Sequence, residues 1–508
     1  MRLTVPLALA AVLLVPSAAN AAVTSSVAGT QLTLTGDAAS DNITLNVNGA
    51  GLITHNLANA DLEDSTDFDP AAGKQTLPSN GTVTLIVDGG AGNDNLNVSA
   101  PSFAGTPAIQ GGDGDDIITG TALVDAIDGG PGNDRITGFR GGETVVGGDG
   151  NDVLIWNNGD GNDTFQGGAG IDEILITQGN ADDVSAITQL GAVTHFERTS
   201  AGPFTVDSVE MEKLTLTSFS GDDTLTTGPG VALPMTVDAG PGNDSITTGD
   251  GPDRLIGDRG ADTLDGGGGD DMLVWNNGDG NDVMNGGDGV DRVETNLSAG
   301  DDVSTLRVEG GRVRYDRTSA GPFNLSIGTA EIFELNTFAG NDTLTSAPGV
   351  PITLDADAGA GDDAFNLRDG VQGSMLGGAG NDRAVADAND LIAADVESVD
   401  RPAVPPAGAV KVNKKAKVKK GVASIKLSCP AGTSGCANTL TLHTAKAVKL
   451  GRVKAPLLLG RKAYSLRAGQ TATLKVKLAA GTAKLAKKRK LATTARAGQR
   501  ASRVTLAF

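Results

Sequence analysis

Apolar residues recur along much of this chain at a nine-residue spacing. From Gly111 the sequence reads GGDGDDIIT, GTALVDAID, GGPGNDRIT, GFRGGETVV and GGDGNDVLI without a break. NGDGNDTFQ and GGAGIDEIL follow after two inserted residues. The apolar positions are Ile118, Ile127, Ile136, Val145, Leu154, Phe165 and Ile174, and in a second block Ile246, Leu255, Leu264, Leu273, Met284 and Val293. The residue just before each is anything from Arg to Met. An inward residue beside an unconstrained one is the alternation of a short strand buried on one face. The glycine-rich stretches between strands read as turns. The expected element is therefore a flattened coil, each nine-residue unit giving one turn and one short strand, with two units per circuit. The insertion at Trp156-Asn157-Asn158 adds two residues, which preserves strand parity, whereas one would turn the core side outward.

Two positions before each apolar residue stands an acid. The first block gives Asp116, Asp125, Asp134, Glu143, Asp152, Asp163 and Asp172; the second gives Asp244, Asp253, Asp262, Asp271, Asp282 and Asp291. With two units per circuit, acids 18 apart lie above one another on one edge, so Asp116, Asp134 and Asp152 form a rail, and Asp253 and Asp271 belong to another. A longer duplication lies above the nonapeptides. Residues from about 128 to 246 align without gaps to those 119 further on, so Trp156 matches Trp275, and Arg198 to Phe204 (RTSAGPF) matches Arg317 to Phe323. A third copy begins near Phe338 and decays, keeping Asp342, Asp363 and Asp382, with Gln372 where an acid belongs. An opening half-copy runs from Gly36-Asp37 through Asp94 and resembles the spacers that start near Gly179 and Gly300. Asp94 and Asp223 complete the set of repeat acids. The spacers alternate at Val209, Met211, Leu214 and Leu216, and read as plain coils or as hairpin excursions. Packing at the insertion is the expectation for both tryptophans, with sugar stacking as the alternative; a structural turn is the expectation for both RTSAGPF segments, with a recognition surface as the alternative.

Charge changes the picture. All 62 acidic residues precede residue 401, together with only 15 of the 40 Lys and Arg. The other 25 basic residues fall in 401–508, which has no Asp or Glu. An acidic block of this size repels itself when compact and closes up with bound cations. Glycines at the first, second and fourth repeat positions let carbonyl oxygens point between stacked turns. Carboxylates and carbonyls together make an all-oxygen site, which selects a hard cation. Calcium suits it better than magnesium, because many flexible ligands from two turns wrap a large ion. Zinc or copper would want His or Cys, and the acidic region offers only the isolated His55 and His195.

On these residues the chain resembles the hemolysin-type (RTX) family, whose calcium-binding nonapeptide is G-G-x-G-x-D-x-U-x. The resemblance covers about residues 89–183, 219–293 and 337–383. It implies an all-β fold, a parallel β-roll or β-solenoid with several calcium ions held between successive turns on both edges. The metal ligands implied are Asp94, Asp116, Asp125, Asp134, Asp152, Asp163, Asp172, Asp223, Asp244, Asp253, Asp262, Asp271, Asp282, Asp291, Asp342, Asp363 and Asp382. Relatives exported in one step carry a C-terminal signal, and most carry an enzyme or toxin domain before the repeats. This chain instead begins with Arg2, an apolar run Leu3 to Val15 and Ala19-Asn20-Ala21, the pattern of a cleaved signal peptide.

The expected organisation is a signal peptide (1–21), an N-terminal β spacer or cap (22–88), the calcium-binding roll (89–400), a Pro/Lys-rich linker (401–420) and a basic domain (421–508). Short alternating runs at Val422–Leu427, Thr439–His443, Ala463–Leu466, Thr471–Leu478 and Arg503–Phe508 suggest a small immunoglobulin-like β-sandwich. It is similar to basic sandwich tails of exported actinobacterial proteins. Cys429 and Cys436, the only cysteines, are expected to form a disulfide in an oxidising compartment. Two basic runs, Lys411 to Lys420 and Lys484 to Lys490, read as a solvated face or as a contact for cell-wall polyanions.

The leading expectation is an extracellular calcium-binding scaffold, secreted or wall-associated, that folds on binding the ion. An adhesin for polysaccharide or protein is the alternative, and a hydrolase the more distant one. No His-Glu-x-x-His, Gly-x-Ser-x-Gly or phosphate loop occurs. No nucleic-acid partner and no membrane span are expected.

Overall fold

The computed structural model describes residues 23–401 apart from 58–61, 63, 69–72, 100–102, 201 and 320. Of the tail it describes 411–507 apart from 414, 421, 430–435, 445–447, 451–452, 456–457, 467–469, 480–489 and 498–499. The expected signal peptide, residues 402–410 of the expected linker and most of the second basic run lie outside the described residues. Two compact units divide the chain after Asp253.

In the first unit the nonapeptide strands stack into two parallel ladders whose apolar side chains face each other. One ladder sets Leu96, Ile118, Ile136, Leu154, Ile174 and Leu214 in register, one above another. The other aligns Val87, Ile109, Ile127, Val145 and Phe165. All are fully buried. Each circuit contributes one strand to each ladder, and the two inserted residues after Trp156 leave Leu154 and Ile174 in phase. The first circuit opens earlier than the expected start at residue 89. Gln31–Thr35 already pairs in parallel with Thr84–Asp88, and Asn42–Val47 with Asn95–Asn97. Antiparallel hairpins, Thr24–Ala28 with Gln31–Thr35 and Asn42–Val47 with Ile53–His55, complete the cap.

The spacers are excursions rather than plain coils. Val184–Leu190, Val193–Arg198 and Phe204–Val209 form an antiparallel meander. Its last strand runs parallel to Asp163–Ala169 and its first runs parallel to Thr224–Thr227. One ladder thus gains strands there, while the opposite ladder passes directly from Glu173–Thr177 to Lys213–Thr217. Aromatic bulk fills the interior at this point. Trp156 is fully buried and stacks on Phe204 at 3.6 Å between ring centroids, with Phe196 next to it.

The second unit repeats this plan. Leu255, Leu273, Val293, Phe333 and Leu354 make one in-register ladder. The meander Val303–Glu309, Arg312–Arg317 and Phe323–Gly328 interrupts the other, and Trp275 stacks on Phe323 at 3.7 Å. In the decayed copy the strand is Ser374–Leu376 with Met375 inward. The position two before Met375 is therefore Gly373, not Gln372, which corrects the sequence register by one.

The tail is rich in strands, most of them joined in one eight-stranded sheet. Val422–Ser428 pairs with Thr471–Lys477, while Cys436–Thr444 lies between Leu458–Leu466 and Lys490–Ala497, and Arg500–Ala507 follows. Lys415–Lys419 bridges the groups, antiparallel to Val422–Ser428 and parallel to Arg500–Ala507. The expected linker therefore extends too far. Lys411–Val412 and Lys415–Lys419 are already strands, and in the second Ala416 points into the core while Lys415, Lys417 and Lys419 are exposed. Ile425, Leu427, Leu440, Leu442, Leu459, Val476, Val504 and Leu506 form that core, with the Cys429–Cys436 disulfide at its margin.

Candidate metal centre

Each nonapeptide acid sits at a turn, immediately before its strand or, for Asp163, as its first residue, and its side chain folds back into the coil. All seventeen expected ligands are buried, none more than 4 % exposed. Most of them are joined by a bond invisible in the sequence: the backbone N–H of one acid donates to Oδ1 of the acid in the next coil. On one edge of the first unit this ladder runs Asp41 to Asp94, Asp116, Asp134, Asp152 and Asp172, at 2.6–2.8 Å per step. It ends with Asp172 N–H donating to Glu212 Oε2. The Asp116–Asp134–Asp152 rail is thus present and longer than expected. Farther along the same unit Met235 N–H donates to Asp253. The other edge links Glu143 to Asp163, and Asp183 to Asp223 to Asp244. In the second unit the steps are Asp262 to Asp282, Asp271 to Asp291 to Glu331, and Asp302 to Asp342, Asp363, Asp382 and Glu397.

One carboxylate oxygen is used by the ladder. The other is aimed into the coil, and for Asp94, Asp116, Asp134, Asp152, Asp172, Asp223, Asp291, Asp342, Asp363 and Asp382 that Oδ2 is buried without a hydrogen bond. Such an oxygen is costly to leave alone. Main-chain oxygens gather at the same point. A Cβ on Gly129 would collide with Asp134 Oδ2 and with the Gly147 carbonyl of the next coil, and Gly111 and Gly147 are crowded in the same way. This oxygen crowding is why the first repeat position is glycine. Among the described residues no three His, Cys, Asp or Glu side chains converge. The main-chain carbonyls beside Oδ2 could complete the shell of an oxygen-seeking cation such as calcium.

Without a cation the pocket resists ionisation. Burial, opposed by the ladder hydrogen bond, pushes Asp134 up to about 7 and Asp94 and Asp152 to about 6. Burial likewise raises Asp282, Asp342 and Asp363 to about 6. A doubly charged ion between two coils would keep these groups ionised and supply the missing partner for Oδ2.

The expected residues are not equivalent. Asp125 is satisfied by its own turn, accepting from Thr121 N–H at 2.6 Å and Thr121 Oγ1 at 2.7 Å. Glu143 and Asp163 share one site, and burial, followed by the Asp163 contact, raises the Glu143 carboxyl. The extra methylene of Glu143 brings its carboxylate against Gly141. Asp41, Asp183, Glu212, Asp302, Glu331 and Glu397 stand in the ladder although the sequence reading left them out. Glu212 and Glu331 follow the excursions without the glycine signature, yet each has a buried apolar residue two positions on, Leu214 and Phe333. Asp183 and Asp302 hide because buried Ser185 and Ser304 stand where the apolar residue belongs. Asp160 and Asp279, buried in the insertions, accept N–H from Asn157 and Asn276. Outside the ladder, fifth-position residues make an exposed one of their own. Asn133 N–H donates to Asp115, Asn151 N–H to Asn133, and Ile171 N–H to Asn151, at 2.8–2.9 Å.

The family model described as "RTX calcium-binding nonapeptide repeat (4 copies)" matches residues 108–122, 119–154, 157–175, 238–273 and 278–303. A comparison with curated proteins finds no match. The matched segments contain Asp116, Asp134, Asp152, Asp172, Asp253, Asp271 and Asp291, so these ladder acids lie within the family motif. This chain is a β-solenoid protein that carries RTX calcium-binding nonapeptide repeats.

Proposed function

We propose that this chain is an extracellular scaffold whose repeat region folds as calcium loads its coil edges. The observation that carries the reading is the row of buried Oδ2 atoms without hydrogen bonds at Asp94, Asp116, Asp134, Asp152 and Asp172 along one edge of the first unit, with others at Asp223, Asp291, Asp342, Asp363 and Asp382. In a calcium-free chain those carboxylates repel and must be desolvated. With calcium each becomes a ligand between two coils, and binding energy becomes folding energy. Affinities on the order of 10⁻⁴–10⁻³ M suffice outside a cell. The reading includes export through the N-terminal leader, no catalytic step, and contact of the basic tail with anionic wall polymers. Among the described residues no helix is long and apolar enough to cross a membrane.

Sugar stacking on the tryptophans gains no support, since Trp156 and Trp275 are buried and stacked on phenylalanines. The deciding experiment is a calcium titration of the leaderless chain, followed by circular dichroism and small-angle scattering. Calcium should convert an expanded chain into a compact, strand-rich one, and magnesium should do so poorly. A chelated protein that is already compact and strand-rich would overturn the proposal.

A further inference from the structure

Two ladder aspartates differ from the rest in what faces them. Asp183 and Asp302 are buried and hold ladder positions, each donating N–H to the next acid. Each also has a cation from its own chain. Arg198 Nη1 lies 3.3 Å from Asp183 Oδ1 and 3.4 Å from Oδ2. Arg317 Nη1 lies 3.4 Å from Asp302 Oδ1. Both arginines are buried, 5 % and 4 % exposed, a degree that charged side chains reach only when paired.

The surroundings fix each guanidinium in place. Arg198 Nε and Nη2 both donate to the Gly202 carbonyl, and Arg317 does the same to Gly321. Phe204 and Phe323 lie beneath the guanidinium groups, 4.7 Å and 4.9 Å from ring centroid to Cζ. Ser200 and Ser319 donate to Oδ1 of the same aspartates, and Thr199 and Thr318 tie to the Val184 and Val303 carbonyls. The repeated Arg-Thr-Ser is thus a built turn around one carboxylate, made twice, 119 residues apart. The second copy is the looser one. Arg317 Nη1 also donates to Asn277 Oδ1 at 2.9 Å, and Asp302 Oδ2 has no hydrogen bond.

We propose that Arg198 and Arg317 fill the cation positions of Asp183 and Asp302, so that these two coils take no calcium and keep their shape without it. The proposal rests on the calcium-dependent reading of the other coils. A guanidinium stays charged at all working pH values and is covalently present at every calcium concentration. A divalent ion beside it would meet like charge at close range in a buried site. Removing the arginine would leave a buried, unpaired carboxylate, the costliest way to break such a pair.

The chain carries its own reporters, because its two tryptophans are Trp156 and Trp275, each stacked on the phenylalanine under one of these arginines. Tryptophan emission and acrylamide quenching therefore read the excursions, while far-ultraviolet dichroism reads the repeats at large. The test compares the full chain, the R198Q/R317Q double variant, and a quadruple variant that adds D183N and D302N, each in chelator and in calcium. In chelator the parent should keep blue, shielded tryptophans while repeat dichroism is lost. The double variant should show red-shifted emission and lose shielding in chelator, and calcium should restore both. The quadruple variant, with neutral partners, should regain shielding in chelator. The R198Q single variant should act more strongly than R317Q. Tryptophans exposed in the chelated parent, a double variant that stays shielded, or a quadruple variant as exposed as the double would each overturn the proposal. Dichroism unchanged by calcium in the parent would sink the calcium-folded reading instead, and the variants would still decide the role of the arginines.

Discussion

The repeat coils and the tail are both built from strands with apolar residues facing inward, yet they close by different means. Each regular coil buries a carboxylate beside its apolar residue, as Asp134 with Ile136 and Asp152 with Leu154. The tail has no acidic residue at all, and its core is aliphatic with one cystine. Short strands bury little apolar area per residue to oppose chain entropy. A coil that also buries a charge needs an outside partner, whereas the tail carries its cross-link in its own sequence. On the proposed reading, stability in the first region is a property of the medium, and in the second a property of the chain.

Chelation should give the largest effect. Hydrogen exchange on the full chain, read by mass spectrometry, should show peptides from 89–400 losing protection when calcium is removed, while tail peptides keep theirs. The peptides around Trp156 and Trp275 should lag behind the other repeats. Equal loss of protection in repeats and tail would erase the contrast between them.

Acid should partly replace calcium in the first region alone. A carboxyl whose folded pKa is raised stabilises the fold while protonated, and that contribution is lost as pH rises through the raised value. With Asp94 and Asp152 at about 6 and Asp134 at about 7, the calcium-free repeats should be most ordered near pH 4 and weaken up to about 7. Dichroism of the chelated chain from pH 4 to 8 should show this decline, and calcium added at pH 8 should reverse it. A chelated chain equally disordered at pH 4 would mean that charge is not what holds the coils open.

Single ladder acids should come next. Asp134 accepts Asp116 N–H at 2.8 Å, so Asp134→Ala strands a buried donor, at about 1–3 kcal/mol, and also removes a ligand. Asp134→Asn keeps an acceptor but not the charge. Its calcium midpoint should rise while the chelated state changes little. Asp253→Ala should resemble Asp134→Ala, since Asp253 accepts Met235 N–H. The decayed sequence around Asp382 suggests a weaker site, but Asp382 makes the same ladder bond to Asp363 N–H. Asp382→Ala should therefore raise the midpoint comparably, and a variant indistinguishable from the parent would restore the sequence view.

Much of this was legible because the nonapeptide is rigid in register. Fixed offsets from acid to apolar residue gave the strands, their inward side and the edge rails. What escaped lay where another residue does the same job. Ser185 and Ser304 conceal Asp183 and Asp302, and the excursions separate Glu212 and Glu331 from any glycine signature. The N–H to Oδ1 ladder was invisible because it joins residues in neighbouring coils, and no local pattern encodes which of two carboxylate oxygens is taken. The strand Lys415–Lys419 was hidden by composition, since alternating lysines read as a solvated run unless the intervening Ala416 is recognised as core.

Reduction should touch only the tail. Cys429 and Cys436 are seven residues apart, and closing so short a loop is worth about 2–3 kcal/mol on the chain-entropy model. Reductant should lower protection in Val422–Ser428 and Cys436–Thr444 and leave calcium-loaded repeats unchanged. Tail protection that survives reduction would show that the aliphatic core suffices, and the contrast would then rest on the absence of buried acids alone.

The smallest effect is expected from an acid that lies in the repeat region but outside the ladder. Asp207 is on the excursion strand Phe204–Val209, its side chain about half exposed, with Oδ1 2.6 Å from His195 Nδ1. Solvent screens such a pair, and exposed ion pairs contribute about 0–1 kcal/mol. Its loss strands no buried donor and removes no oxygen from a coil edge. Asp207→Ala removes the same formal charge as Asp134→Ala from the same acidic region. If overall repulsion were what calcium relieves, the two variants would shift the calcium midpoint alike. If ladder position is what matters, Asp207→Ala should leave the midpoint and the melting curve within about 0.5 kcal/mol of the parent. Matching shifts would move the explanation from the buried coil edge to the net charge of the region.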